Sequence, residues 1–519
     1  MVWSALSGST ALPAEHYFLT CAVEELGESK LVAMHTTIFY SLSFLALGVL
    51  AALPGLPDKI YGVNLGSWLV LEPWMLPAEW IAMGGQQCDD CSQCIASEFA
   101  FAEAYPDTVD TIFDGHWESW FNQPDVDQLV DAGINTVRIP LGYWIVEPLV
   151  NRTSEFYPKG GILQLKRGLK QLKASGIAAI LDHHALPGVA SPGQMFAGRC
   201  TNDVEFYTPY NYHRALIWTA VMTVLSHIDP DFGTVAGIEA MNEPIMDANQ
   251  TPGLGGFQTN FVQVVRAVEL ALGIPVQGIP PFSGFSSAVN VASSLSSVAK
   301  LSSIFNSEVQ QVLRDAAPIL VQVSTQLRLD ITLATLSSLL SKRRSLVTSF
   351  MDINWQHNTP ANPADAAIGP QGYDNHLYYS GSLTQMKMHI SLVCAVRFRP
   401  RPMLLSCASH LRLSSDLERI QADAALGNTP LWFGEWALST QFSASDTFLR
   451  KWADAQKFSY GKGAGWIFWN FKIEKSDLAG DTARQWSYME GLRLGYLTQD
   501  PSKFNDPHVC DPYLNVTSV

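Results

Sequence analysis

GIEAMNEP, residues 237–244, is a short apolar run that stops at an amide, a carboxylate and a proline. Its length suits a buried strand, residues 237–241, with Asn242 and Glu243 at the C-terminal end. The same construction recurs on both sides of it. From residue 58 onward strand-like runs alternate with helix-like runs, a rhythm that implies βαβ units and a parallel sheet. Eight runs qualify as strands: residues 60–65, 136–140, 178–182, 237–241, 346–351, 373–377, 431–434 and 465–469. Between them, residues 163–174 set Leu165, Leu169 and Leu172 among Lys and Gln, the pattern of an outer helix with one buried stripe. Residues 257–272 and 448–458 read the same way. Eight strands with interleaved helices are the count for a closed (β/α)₈ TIM barrel, an α/β fold. The open, doubly wound sheet is the alternative, but no G-x-G-x-x-G or phosphate-binding loop follows the first run.

In such a barrel the functional side chains gather at the C-terminal ends of the strands. Asn64, Trp68, Glu72 and Trp74 follow the first run, Arg138 marks the second, and His183 and His184 follow the third. His376, Tyr378 and Tyr379 follow the sixth, Glu435 and Trp436 the seventh, and Trp466 and Trp469 mark the eighth. Glu243 and Glu435, after strands four and seven, stand on opposite parts of the ring and can converge across its mouth. Glycosidic cleavage needs such a pair, one carboxyl giving a proton to the leaving oxygen and one carboxylate attacking the anomeric carbon. Their pKa values must then be pushed apart. Arg138 is suited to keep Glu435 ionised, Asn242 to hold a sugar 2-hydroxyl, His376 and Tyr378 to orient the carboxylates, and Trp469 to act as a stacking floor. Asp182 with His183 and His184 suggests a metal only weakly, because no HEXXH-like ligand spacing is present.

Composition narrows the classes. Hydrophobic residues make up 47% and charged residues 16%, enough to bury a large core. The net charge of -15 repels phosphate backbones and argues against nucleic-acid binding. Fifteen Trp and sixteen Tyr exceed the needs of packing, and flat rings of this kind line sugar-binding grooves. The spacing of Cys88, Cys91 and Cys94 is read as disulfide-forming, with Cys200 or Cys510 as further partners, in preference to a metal cluster.

Residues 36–57 carry no charge and include FYSLSFLALGVLAAL, a signal-peptide apolar region with Ala51 and Ala52 at a cleavage site. The run begins just after Met34, so residues 34–52 are expected to be the signal peptide and residues 1–33 an extension of the gene model. Residues 53–519 then form the barrel domain. Sequons at Asn151, Asn249 and Asn515 fit export. Two stretches break the βα rhythm. Residues 275–345, between strands four and five, are expected to be an insertion of extra helices on the barrel's side or rim. Residues 380–415 hold Lys387, Arg397, Arg399, Arg401 and Arg412 and no Asp or Glu, a basic island foreign to so acidic a chain.

The chain resembles glycoside hydrolase family 5 of clan A, and within it the fungal exo-β-1,3-glucanases. The resemblance rests on YGVNLGSWLVLEPW (61–74), GINTVRIPLGYW (133–144), LDHHALPG (181–188), NEP (242–244), DNHLYY (374–379), FGEW (433–436) and GWIFWNFK (465–472). It departs from that family after the sixth strand, where GSLTQMKMHISLV stands in place of an acidic segment. The resemblance implies a retaining hydrolase of β-glucan, β-1,3-glucan of the fungal cell wall first, with Glu243 as acid/base and Glu435 as nucleophile. It implies that Glu72, Arg138, His184, Asn242, His376, Tyr378 and Trp469 line the subsite of the cleaved sugar. It further implies a secreted monomer, extracellular or in the cell wall. The expected partner is a polysaccharide or oligosaccharide, with no cofactor and no metal, and with membrane contact only through the signal peptide. A non-catalytic carbohydrate-binding protein, or a hydrolase of β-1,6-glucan, cellulose or mannan on the same fold, is the alternative.

Overall fold

The computed structural model describes residues 55–281, 289–353, 362–378, 416–440 and 442–514. The expected signal peptide 34–52, the expected extension 1–33, the basic stretch 380–415 and the Asn515 sequon lie outside the described residues. Eight parallel strands close into a barrel in chain order. They are β1 (Ile60–Asn64), β2 (Thr136–Gly142), β3 (Ala178–Ala185), β4 (Val235–Glu239), β5 (Val347–Met351), β6 (Gln371–Leu377), β7 (Leu431–Trp436) and β8 (Gly465–Phe468). β8 pairs with β1 from Ile60 against Gly465, which leaves no sheet edge. The strands are buried on both faces, as a parallel sheet wrapped by helices requires. The expected barrel is therefore the observed one.

Three strands run further than their sequence signals suggest. Glu435 and Trp436 are the last two residues of β7, not residues beyond it, and His183 and His184 lie inside β3. Apolarity alone marked the strand ends in the sequence. The barrel mouth is lined with polar side chains still on the ladder, so the pattern stops before the strand does. β4 shifts the other way and ends at Glu239, which puts Asn242 and Glu243 in the loop after it.

The barrel interior is layered. At the bottom Ile60, Ile180, Val347, Trp432 and Ile467 form one buried apolar cluster. Trp432 fills the floor, and Gly372 is required beside it, because a Cβ there would lie 2.2 Å from the indole. Above this floor the inward positions turn polar, with Arg138, Asp182, Glu239 and Asp374 all fully buried. Outside, the helix Gly161–Ala174 buries Leu165, Leu169 and Leu172 as its periodicity predicts.

Between β4 and β5, after the helix Leu254–Ala271, come three further helices, Val291–Val298, Ser307–Gln326 and Leu333–Leu340. They pack on the side of the barrel. The Ser294 hydroxyl donates to the Ala271 carbonyl at 2.6 Å, and His213 of the helix Pro209–Ile228 meets Glu308 at 2.7 Å and Asp315 at 3.0 Å. Two disulfides, Cys88–Cys94 and Cys91–Cys200, join the cysteine-rich loop to itself and to the segment after β3. Asn151 and Asn249 are exposed. Among the described residues no helix is long and apolar enough to cross a membrane.

Candidate active site

Arg138, in the middle of β2, points into the barrel and is fully buried. A buried guanidinium needs every one of its donors satisfied. Nε and Nη2 donate to Glu239 at 2.9 and 3.3 Å, and Nη2 also reaches Asp182 at 3.1 Å and Asn242 at 2.9 Å. Nη1 donates to Asn64 at 3.1 Å and to Glu435 at 2.9 Å. Asp374 stands 3.6 Å from Nε. One cation thus serves four carboxylates, and for Glu239 and Asp182 burial outweighs its attraction. It pushes Glu239 up to about 8 and Asp182 up to about 7, against the pull of Arg138.

Glu435 receives a donor on each oxygen. Arg138 holds Oε1, and the Tyr378 hydroxyl donates to Oε2 at 2.8 Å. Burial pushes the Glu435 carboxyl up, and His376 and Arg138 pull it back down. His376, on β6, has Nδ1 2.8 Å from Glu243 Oε1 and 3.5 Å from Glu435 Oε2. Burial pulls this imidazole down, but Glu435, Asp374 and Glu243 prevail and hold it well above its ordinary range. It stands as a cation between two carboxylates. A Glu243 oxygen, a Glu435 oxygen and a His376 nitrogen all lie within 4.8 Å of one another. Glu243 sits at φ +36°, a left-handed value that costs a non-glycine residue strain, and its carbonyl accepts the Ser191 hydroxyl at 2.6 Å. Strained backbone of this kind collects at functional sites, where surrounding contacts over-determine it.

The remaining expected residues gather around this pair. Glu72 is buried after β1, bonded by the Trp74 indole at 2.9 Å. Burial pushes its carboxyl up to about 8, the Trp74 bond opposing and Glu435 and Glu243 adding to the rise. Asn242 accepts from Arg138. His184 bonds Asp182 at 2.6 Å and lies nearly parallel to Trp469, their centroids 5.6 Å apart. Burial pulls His184 down to about 3, so its ring is neutral at working pH. Trp486, absent from the sequence expectations, packs edge-on against Trp74 and also meets Tyr378.

The paired histidines do not form a metal site together. Adjacent strand residues point to opposite faces. His184 faces the barrel mouth, while His183 stacks on Trp218 at 3.9 Å in the helix layer. Glu243, His376 and Glu435, and likewise Glu239, Asp374 and His376, have donor atoms close enough for an ion. His376 brings positive charge to both clusters, and Arg138 adds its own beside Glu239, Asp374 and Glu435. Glu239 and Asp374 are site residues that sequence reading missed, and Asp182 was read there only as a weak metal ligand. Their signal was present, since they alternate with apolar residues on the inward face of β4, β3 and β6.

The chain is similar to the "Glucan endo-1,6-beta-glucosidase B" of Emericella nidulans, 27% identical over 469 residues that cover 87% of this chain and 88% of that one. It is similar to the "Glucan 1,3-beta-glucosidase" of Blumeria graminis, 32% identical over 190 residues, 36% of this chain and 41% of that one. Its fold is similar to the solved structure of AoRut, with a TM-score of 0.50 and 17% identity over 84% of this chain and 96% of that one. The family described as "Cellulase (glycosyl hydrolase family 5)" matches residues 106–475, a span that contains Arg138, Glu243, His376 and Glu435, and the chain belongs to that family.

Proposed function

We propose that this protein is a retaining hydrolase of β-glucan that acts through a covalent sugar on Glu435, with Glu243 as acid and base. The observation that carries the reading is the approach of the two carboxylates, oxygen to oxygen within 4.8 Å. Retaining enzymes hold their carboxyl groups about 5–5.5 Å apart, and inverting ones leave room for a water, about 6.5–9.5 Å. In the first step a Glu435 oxygen attacks the anomeric carbon while Glu243 gives its proton to the departing oxygen. In the second, water attacks that carbon, Glu243 takes the water's proton, and Glu435 leaves. Arg138 and Tyr378 fix the attacking carboxylate, and Trp469 and His184 offer flat surfaces to the sugar. Glu72 and Asn242 offer hydrogen bonds to its hydroxyls.

For the linkage, β-1,6-glucan is the first reading, because the relatives bearing that name match this chain over 84–87% of its length. The β-1,3 linkage expected from sequence is second, supported by relatives that match 36–42% of it. The two disulfides favour an oxidising, extracellular setting such as the cell wall. The test is incubation with pustulan, laminarin, cellulose and mannan, with product sizing. Pustulan is expected to be cut at least about tenfold faster than the others, a factor worth ~1.4 kcal/mol of barrier. Faster cutting of laminarin would install the β-1,3 reading. Binding without cutting of any would install the carbohydrate-binding one.

The role of Glu243 has its own signature. Glu243→Gln removes the proton donor, so natural glucan should turn over about 10²–10⁴-fold more slowly. An aryl glycoside with a good leaving group needs little protonation, so its first step survives. The second step then stalls, and mass spectrometry should find the sugar accumulated on Glu435. Azide needs no base and should restore turnover, giving a glycosyl azide of retained configuration. No accumulation and no rescue would remove Glu243 from this role.

A further inference from the structure

We infer that Asp374 is a positioning residue for Glu435, acting through a bulge in β7 that turns the nucleophile into the barrel. The inference rests on the reading of Glu435 as nucleophile.

A regular strand points alternate residues to the same face. Trp432 faces the barrel interior, so Gly434 would share that face and Glu435 would point out toward the helices. The opposite is observed. Glu435 reaches Arg138 inside, while Phe433 and Trp436, three apart, both pack outward on Tyr460. The ladder shows how. Asn375 pairs with Phe433 but the next residue, His376, pairs with Glu435, so Gly434 is skipped. Such a bulge re-aims every side chain beyond it.

A skipped residue loses its ladder partners, and its buried peptide must find others. Gly434 finds both in side chains. Its N–H donates to Asp374 Oδ1 at 2.6 Å, and its carbonyl accepts from Asn64 Nδ2 at 2.8 Å. The fit is possible only for glycine, since a Cβ at this position would lie 1.9 Å from Asp374 Oδ2 and 2.2 Å from Oδ1. The same carboxylate faces the two cations that hold Glu435. Its Oδ2 lies 3.7 Å from His376 Nε2 and 3.6 Å from Arg138 Nε, distances at which the attraction is coulombic. Asp374 therefore fixes the peptide before the nucleophile and the charges beside it. Around His376 stand Glu243 after β4, Glu435 on β7 and Asp374 on β6, with Asp182 and the neutral His184 on β3 within coulombic reach. Arg138 meets the same Asp374 oxygen as His376.

Two variants of the whole chain separate the bond from the charge. Asp374→Ala removes both and should lower kcat about 10²-fold or more, the effect of a misplacement near 1 Å, with KM within about twofold of wild type. Asp374→Asn keeps an acceptor for the Gly434 N–H and removes only the charge. It should lower kcat about tenfold and displace the whole pH–rate profile toward acid, because a lost negative charge lowers the pKa of His376 and of Glu435 alike. Rates are counted per folded site, titrated with a 2-deoxy-2-fluoro glycoside that labels the nucleophile, and the Asn variant serves if the Ala variant does not fold. Unchanged kcat per site and an unmoved profile in the Asn variant, with Glu435→Gln inactive, would overturn the proposal and leave the nucleophile in place. An active Glu435→Gln would overturn both.

Discussion

Glu435→Gln is expected to lower turnover of any glucan by about 10⁴-fold, roughly 5.5 kcal/mol of barrier at ~1.4 kcal/mol per decade. The amide is the same size as the carboxylate, its oxygen can still accept from Arg138 and its NH2 can donate to the Tyr378 hydroxyl oxygen, so the fold and the substrate affinity should change little. What disappears is the anion that attacks the anomeric carbon and compensates its positive charge. The loss should therefore fall on kcat and not on KM, the mark of an interaction made only in the transition state. Azide distinguishes the two glutamates. In Glu435→Ala, which opens the space that the carboxylate filled, it enters from that side and gives the product of inverted configuration, whereas rescue of the Glu243 variant retains it. Wild-type rates, or azide products of one configuration in both variants, would show that the assignment is wrong.

The second large effect is structural. Arg138→Met should cost about 3–5 kcal/mol of stability, since it leaves buried carboxylates without their cation. Asp182, Glu239 and Asp374 are fully buried and Glu435 is 5% exposed, so none can turn to water for compensation. The penalty has a defined pH dependence. Asp182 and Glu239 have folded pKa values already raised to about 7 and about 8, above their unfolded values. A raised acid binds more protons folded than unfolded, so stability falls as pH rises from the unfolded pKa toward the folded one. Without Arg138 those values climb further. The variant's deficit should then be steady below about pH 7 and widen from there toward pH 9, as followed by denaturant midpoints at each pH. A deficit that is flat with pH would mean that Arg138 contributes packing and not charge.

Much of the site was readable in the chain. Asn242, Glu243, His376 and Glu435 stand at the ends of short apolar runs, and that local signal was enough to place them around one mouth. The residues that went unread depend on register, which is set by pairing between distant segments. Glu239 lies within GIEAMNEP, yet nothing local says that its side chain faces a guanidinium from β2. Gly434 reads as an ordinary glycine before a glutamate. That it is skipped by the ladder depends on how β6 meets β7. The histidine pair was legible as two polar residues, but only strand geometry assigns one to the mouth and the other to the helix layer. The choice between β-1,6 and β-1,3 linkage lay beyond reach because it belongs to the shape of the loops at the rim.

The indole of Trp432, lying across the barrel floor, has a bearing on the fate of the intermediate. Among the described residues the lower end is stoppered, so the mouth is the doorway. The departing chain, the water that completes the reaction and any competing alcohol must all pass through it. Once the leaving sugar withdraws, whatever occupies its place first meets the activated anomeric carbon. Water has the numbers, but a second glucan chain resting on the aromatic rim has proximity. On the proposed covalent mechanism the output would divide according to acceptor concentration, shortening of chains when glucan is dilute and splicing of one chain onto another when it is dense, as read by product sizing at low and high glucan.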